Sequence, residues 1–217
     1  TLPNKIDYFV GDSINTDGMA VMLVYGDGKE ETSKGYSVSS PDMSAIGIKE
    51  VTVTDTETGF TSQPFNIYVN LKKNIGNPVE TDIVATSDIR NKILSLSGTG
   101  ETADYDVLSP PFISIYKYIE RVEIATGITT LGDAIFAAIY EGISISGLEN
   151  IKEVGVYAFY SAKITGNLSL PNVEEIKTSA FTAAHFNSIS IGNKIRSIGE
   201  SAFNADASEI SIKRFKD

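Results

Sequence analysis

The chain has no cysteine and no tryptophan, one histidine in 217 residues, and 18 basic residues against 28 acidic ones. Without cysteine there are no disulfides, no thiolate nucleophile and no thiolate metal site. The lone histidine, His185, lies near Ser188 and Ser190, but no nucleophile-elbow pattern surrounds them, and a triad needs a third orienting group. The shortage of basic residues gives a formal charge of −10. It is spread evenly, with 5 basic and 10 acidic residues through Lys72 and 13 and 18 after it, about −5 in each part. An acidic surface of this kind repels phosphate backbones, so nucleic acid and anionic membrane are poor partners. No stretch approaches the 18 consecutive apolar residues of a membrane-spanning helix. The sequence opens Thr1-Leu2-Pro3 without a signal peptide: either there was none, or it has been trimmed away.

What is present is repetition. Leu131-Gly132-Asp133-Ala134-Ile135-Phe136 returns as Val154-Gly155-Val156-Tyr157-Ala158-Phe159, as Ile176-Lys177-Thr178-Ser179-Ala180-Phe181, and as Ile198-Gly199-Glu200-Ser201-Ala202-Phe203. The phenylalanines Phe136, Phe159, Phe181 and Phe203 are 23, 22 and 22 residues apart. Apolar-polar-apolar triplets keep step with them: Val122-Glu123-Ile124, Ile143-Ser144-Ile145, Leu168-Ser169-Leu170, Ile189-Ser190-Ile191 and Ile210-Ser211-Ile212. Alternation over three residues predicts a very short strand with two side chains in and one out. One such unit cannot bury its own apolar side, but a stack of them can. The expectation is one narrow parallel sheet, with the four phenylalanines as a column that is the structural core of the repeats. The longer interval from Ile143 to Leu168 predicts a bulged loop near Lys163–Asn167.

These Ile-Gly-x-x-Ala-Phe units with Ile-Ser-Ile strands resemble bacterial leucine-rich repeats of the BspA-like surface-protein type. The segment Leu94–Gly100, Asp104-Tyr105, Pro110-Pro111-Phe112 and Ile119–Ile124 is similar to the cap that precedes such repeats. Lys177 departs from the pattern, standing where the other units have Gly.

Residues 1–71 read differently. Strand-like stretches at Ile6–Val10, Ala20–Tyr25, Val51–Thr54 and Phe65–Val69 alternate with turn signals, which predicts an antiparallel sandwich. Tyr25-Gly26-Asp27-Gly28-Lys29 has the glycines of a hairpin turn, and Val51 and Val53 should face the core. The pattern is similar to bacterial immunoglobulin-like domains. The fold expected is therefore mainly β: an N-terminal Ig-like antiparallel β-sandwich over 1–71, a linker over 72–92, and over 93–217 a short leucine-rich-repeat solenoid with an N-terminal cap, its parallel strands recurring with a period of about 22 residues.

The candidate binding face is the outward side of the triplets. It comprises Arg121, Glu123, Ser144, Ser146, Asn167, Ser169, Ser188, Ser190 and Ser211, with Ala125, Glu209 and Lys213 alongside. In register such residues stand about 4.8 Å apart. They either solvate an exposed strand or form a hydrogen-bonding surface for a glycan or extended peptide. Recognition hot spots favour aromatic and arginine anchors, and Arg121 is the one such residue here. Tyr140, Tyr157, Tyr160 and Phe186 fall in the turns and should form an exposed edge.

Adjacent acids, Glu30-Glu31 and Glu174-Glu175, point to opposite faces of a strand and make no catalytic dyad. Asp12, Asp17 and Asp27 sit in turns, which aspartate favours without calcium. No catalytic residue, metal ligand or cofactor is expected. The resemblance implies a non-enzymatic cell-surface or secreted bacterial binding module, monomeric, contacting host proteins, glycans or other cells. A pure spacer in a larger surface assembly and a carbohydrate-targeting accessory module are the alternatives. At the C-terminal end, Phe215 either folds back over the last coil or that end packs on another molecule.

Overall fold

The computed structural model describes residues 1–212, which divide into two compact units, Thr1–Leu71 and a second that begins at Lys72. Strand occupies 39% of the chain and helix 4%, so the protein is mainly β.

In the first unit, strand Phe65–Asn70 is central. Asp7–Phe9 pairs with it in parallel and Gly47–Val51 pairs antiparallel. Met22–Val24 with Glu30–Thr32, and Tyr36–Val38 with Val53–Asp55, form two further antiparallel pairs. The sandwich thus has one parallel edge among antiparallel pairings. Tyr8, Val51 and Ile67 form the buried cluster, ringed by Ile6, Ile14, Val38, Met43 and Phe65. Val53 is also buried. The 22–32 hairpin closes through Gly28 at φ +84° and an Asp27 carboxylate that accepts the Lys29 N–H. Asp12 likewise closes its turn, accepting from the Phe9 N–H and pairing with Lys5 at 3.0 Å.

Asp55 ties this unit together. Its carboxylate accepts from the Ser33 hydroxyl (2.6 Å), the Thr58 hydroxyl and N–H (2.7 Å each) and the Glu57 N–H (3.1 Å). These bonds stabilise the charged form, with Ser33 contributing most, and hold its pKa down to about 2.

The second unit is a right-through stack built on three lines. One line is a sheet whose strands run in the order Ser144–Ser146, Arg121–Ile124, Ile93–Gly98, Ile83–Asp88 and Lys72–Asn74. The stretch 72–92 is therefore not a linker. Ile83, Ala85 and Ser87 point into the core, and their strand pairs antiparallel with Ile93–Gly98 over six residues. These antiparallel strands close the first end of the stack, where parallel coils alone would leave an open edge.

The second line is a ladder of two- to four-residue strands: Gly100–Thr102, Ile128–Leu131, Glu153–Val154, Glu175–Ile176 and Ser197–Ile198, with Gly76–Asn77 pairing antiparallel at its start. Leu131, Val154, Ile176 and Ile198 stand in register. Directly after this ladder, three of the four coils carry glycine, where the backbone of the preceding coil lies close. A Cβ on Gly155 would lie 2.6 Å from the carbonyl carbon of Gly132, and one on Gly199 would collide with the Lys177–Thr178 peptide. Lys177 occupies the same position, and its ammonium meets Glu153 at 2.5 Å. That bond is the main cause of its raised pKa, and the charges of Asp133 and Asp104 add to it.

The third line is the phenylalanine turn. Phe136 and Phe159 are 5.5 Å apart between ring centroids, Phe159 and Phe181 5.0 Å and 3° from parallel, and Phe181 and Phe203 5.5 Å. Phe112, from the cap, extends the column at 6.1 Å from Phe136. The turns are not helical. Each holds left-handed residues two before and, in the first three, two after the phenylalanine: Ala134 and Ala138, Tyr157 and Ser161, Ser179 and Ala183, and Ser201. This alternation aims successive N–H groups at the next coil. Phe136 donates to the Ala158 carbonyl, Phe159 to Ala180 and Phe181 to Ala202, at 2.8–2.9 Å.

Candidate functional site

The outward face of the strands forms two blocks, not one column. In the first, Arg121 stands opposite Ser144 and Glu123 opposite Ser146. The Val122 strand is thus paired two residues further along than the triplets alone align it, with Val122 opposite Ile145. A shift of two keeps the same side chains outward, so the face survives while its register changes. In the second block, Asn167 is opposite Ser188 and Ser169 opposite Ser190, which is opposite Ser211 in turn.

The blocks are separated because Ser144–Ser146 and Asn167–Leu170 do not pair. Asn167–Leu170 lies instead against the 3-10 turn Leu148–Asn150. The offset begins where Ile143 bridges Ile164 and Lys163 bridges His185. Lys163 to Asn167 spans one residue more than His185 to Ser188, a β-bulge with Gly166 at φ +95°. The bulge opens a recess of about 450 Å³ with Lys163, Thr165, His185 and Asn187 at its rim.

Several side chains of the outward face are already engaged within the chain. The Arg121 Nε donates to Glu123 at 2.7 Å, so the face's one arginine is held by its neighbour. Ser144 and Ser146 each donate to a carbonyl of the preceding coil, Glu120 and Val122, at 3.3 Å. Ser211 donates to the Ile189 carbonyl at 3.5 Å. Lys92 and Glu120 form a further ion pair at the edge.

The outward row also continues beyond the triplets, towards the start of the stack. Glu123 is opposite Ser95, Ser95 opposite Thr86, and Thr86 opposite Lys72. No alternation of apolar and polar residues in Ile83–Asp88 marks them, because Ala85 and Ser87 are buried while Val84 and Thr86 are less so. Of the turn aromatics, Tyr140 is 66% exposed and Tyr157 meets Tyr160 edge-on at 5.5 Å. Phe186 is not part of an exposed edge: it is buried, its ring edge-on to Phe181 at 5.8 Å. Lys213 and Phe215 lie outside the described residues. Among the described residues no helix is long and apolar enough to cross a membrane.

Strand coils stacked around a phenylalanine column, following a small β-sandwich, define a leucine-rich-repeat protein with an Ig-like module. Comparison with known families specifies both. Residues 113–215 match the BspA type leucine rich repeat region in 6 copies, and residues 1–69 match the bacterial Ig-like domain (group 3). The chain joins a bacterial Ig-like domain to a BspA-type leucine-rich repeat region. A solved leucine-rich repeat protein from Eubacterium ventriosum shares the fold at 20% identity and a TM-score of 0.55. That similarity covers 69% of this chain and 40% of the other, so the chain spans less than half of that protein's length. No curated protein matches the chain.

Proposed function

We propose that this is a non-enzymatic, exported bacterial surface or secreted protein whose repeat unit contacts host proteins, glycans or other cells, the Ig-like unit serving as its spacer. The observation that carries the reading is the outward array itself. Polar side chains from Lys72 to Ser146, and from Asn167 to Ser211, are displayed in register on a core stiffened by five phenylalanines. The family resemblance to surface proteins supports the location. Binding of the purified chain to arrays of extracellular-matrix proteins, mucins and glycans is the test, and clean silence across them would remove the reading.

A second reading, that both units are only spacers, is favoured by one specific set of bonds. Ser144, Ser146 and Ser211 spend their hydroxyl protons on backbone carbonyls, and Arg121 is paired with Glu123. Replacing Ser144, Ser169 and Ser190 together by bulky residues separates the two. Cell attachment that survives the triple variant makes the serine face a bystander.

A further inference from the structure

The recess at the bulge differs from the serine rows in kind. Ile164 and Phe186, on the segments that line it, are 4% and 5% exposed and turn their side chains into the core, Phe186 against Phe181. The rim of the recess carries a cation, a hydroxyl, an imidazole and an amide: Lys163, Thr165, His185 and Asn187, all exposed. A volume of about 450 Å³ lies in the range of small-ligand sites and suits one or two sugar rings rather than a folded partner.

The backbone fixes this arrangement. Bulges commonly re-aim side chains beside functional sites, and here the extra residue lies between Lys163 and Asn167, at the place where the ladder breaks. The Lys163 stem passes over Gly142, where a Cβ would meet its Cδ and Cε at 3.6 Å. The ammonium is thereby supported from the neighbouring coil. The Lys163 N–H donates to the Ile139 carbonyl at 2.6 Å, which ties the start of the bulge to the preceding coil.

We propose that this recess binds an acidic sugar residue, a uronic or sialic acid, as part of the recognition function proposed above. The carboxylate is taken by Lys163, and ring hydroxyls by Thr165 and Asn187. Charge-assisted hydrogen bonds are the strong ones. A lysine on a chain of net charge −10 makes the recess selective by local contact rather than by long-range attraction. Neutral sugars would leave the ammonium without its partner, which sets the preference for the acid form.

The test is titration of the isotope-labelled intact chain with sialyllactose, a galacturonic acid disaccharide and lactose, followed by backbone amide shifts. Both acidic sugars should move the amides of 163–166 and 185–187, and lactose should not. Lys163→Ala should weaken binding about tenfold, the loss of one charge-assisted bond. Lys163→Arg should keep most of it, and Glu50→Gln, an exposed position on the Gly47–Val51 strand of the first unit, should leave it unchanged. Equal binding of lactose, silent amides at the recess, or full affinity in Lys163→Ala overturns the site. An acidic peptide that moves the same amides at lower concentration than either sugar overturns the ligand class. Attachment to cells or mucin that Lys163→Ala leaves untouched removes the recess while the recognition function stands.

Discussion

Replacing Phe159 by alanine tests whether the phenylalanine column is the spine of the repeat unit. Phe159 is 1% exposed, with rings on both sides, Phe136 at 5.5 Å and Phe181 at 5.0 Å. Its N–H bond to the Ala180 carbonyl is a backbone contact that alanine preserves, so the variant removes the ring alone. Truncating a fully buried Phe costs about 3–5 kcal/mol, the transfer of the lost atoms plus the cavity they leave. About 0.5–1.5 kcal/mol of that belongs to each ring pair. For a unit of this size the loss corresponds to a fall in Tm of roughly 6–20 °C. Phe203 is only half-buried and stacks on one described ring, Phe181, so Phe203→Ala should cost about half as much. Urea unfolding followed by tyrosine fluorescence and circular dichroism would measure both, since no tryptophan obscures the tyrosines. The double variant Phe159→Ala/Phe181→Ala should fall short of additivity by about 0.5–1.5 kcal/mol, because the two rings share one contact. Phe112→Ala with Phe203→Ala should be additive within about 0.5 kcal/mol, because these rings stand at opposite ends. A cost below about 1 kcal/mol for Phe159→Ala, or additivity of the neighbouring pair, would refute the column as the source of cohesion.

Other consequences are open to the same measurements. Gly155→Ala should destabilise the repeat unit by about 1–3 kcal/mol, since its Cβ would press on the Gly132 carbonyl carbon. Tyr116→Phe should be neutral or stabilise by about 1–2 kcal/mol, because the Tyr116 hydroxyl is buried without a hydrogen-bond partner and burial pushes its pKa up. Acid should unfold the first unit before the second. The folded pKa of Asp55, about 2, lies below its ordinary value of 3.8, so the unfolded chain binds more protons between those values and stability is lost as pH falls from about 4 towards 2. Asp55→Asn should lower the stability of that unit at neutral pH and flatten its acid profile, while the repeat-unit transition stays in place.

The four phenylalanines were legible in the sequence because a stack of like rings demands the same residue at every coil, and a demand that repeats leaves a period. The second ladder left no such trace. Thr130-Leu131, Glu153-Val154, Glu175-Ile176 and Ser197-Ile198 are too short for alternation to show, and only pairing between coils makes them strands. The strand Ile83–Asp88 was hidden by an inverted pattern, for it turns Ala85 and Ser87 inward and Val84 and Thr86 outward, and only its six-residue pairing with Ile93–Gly98 explains it. The register of the serine face was ambiguous for a different reason. Ser144 and Ser146 both point outward, and a slip of two residues exchanges one for the other at no cost in burial. The recess was half-legible: the 25-residue interval announced a bulge near Lys163–Asn167, but nothing in a linear sequence places His185 beside Lys163. A regular stack repeats its surface at every coil, so a unique site requires a departure from regularity. Thr165-Gly166 is where the strand ladder makes that departure, which is why the search for a ligand belongs there before it belongs on the serine rows.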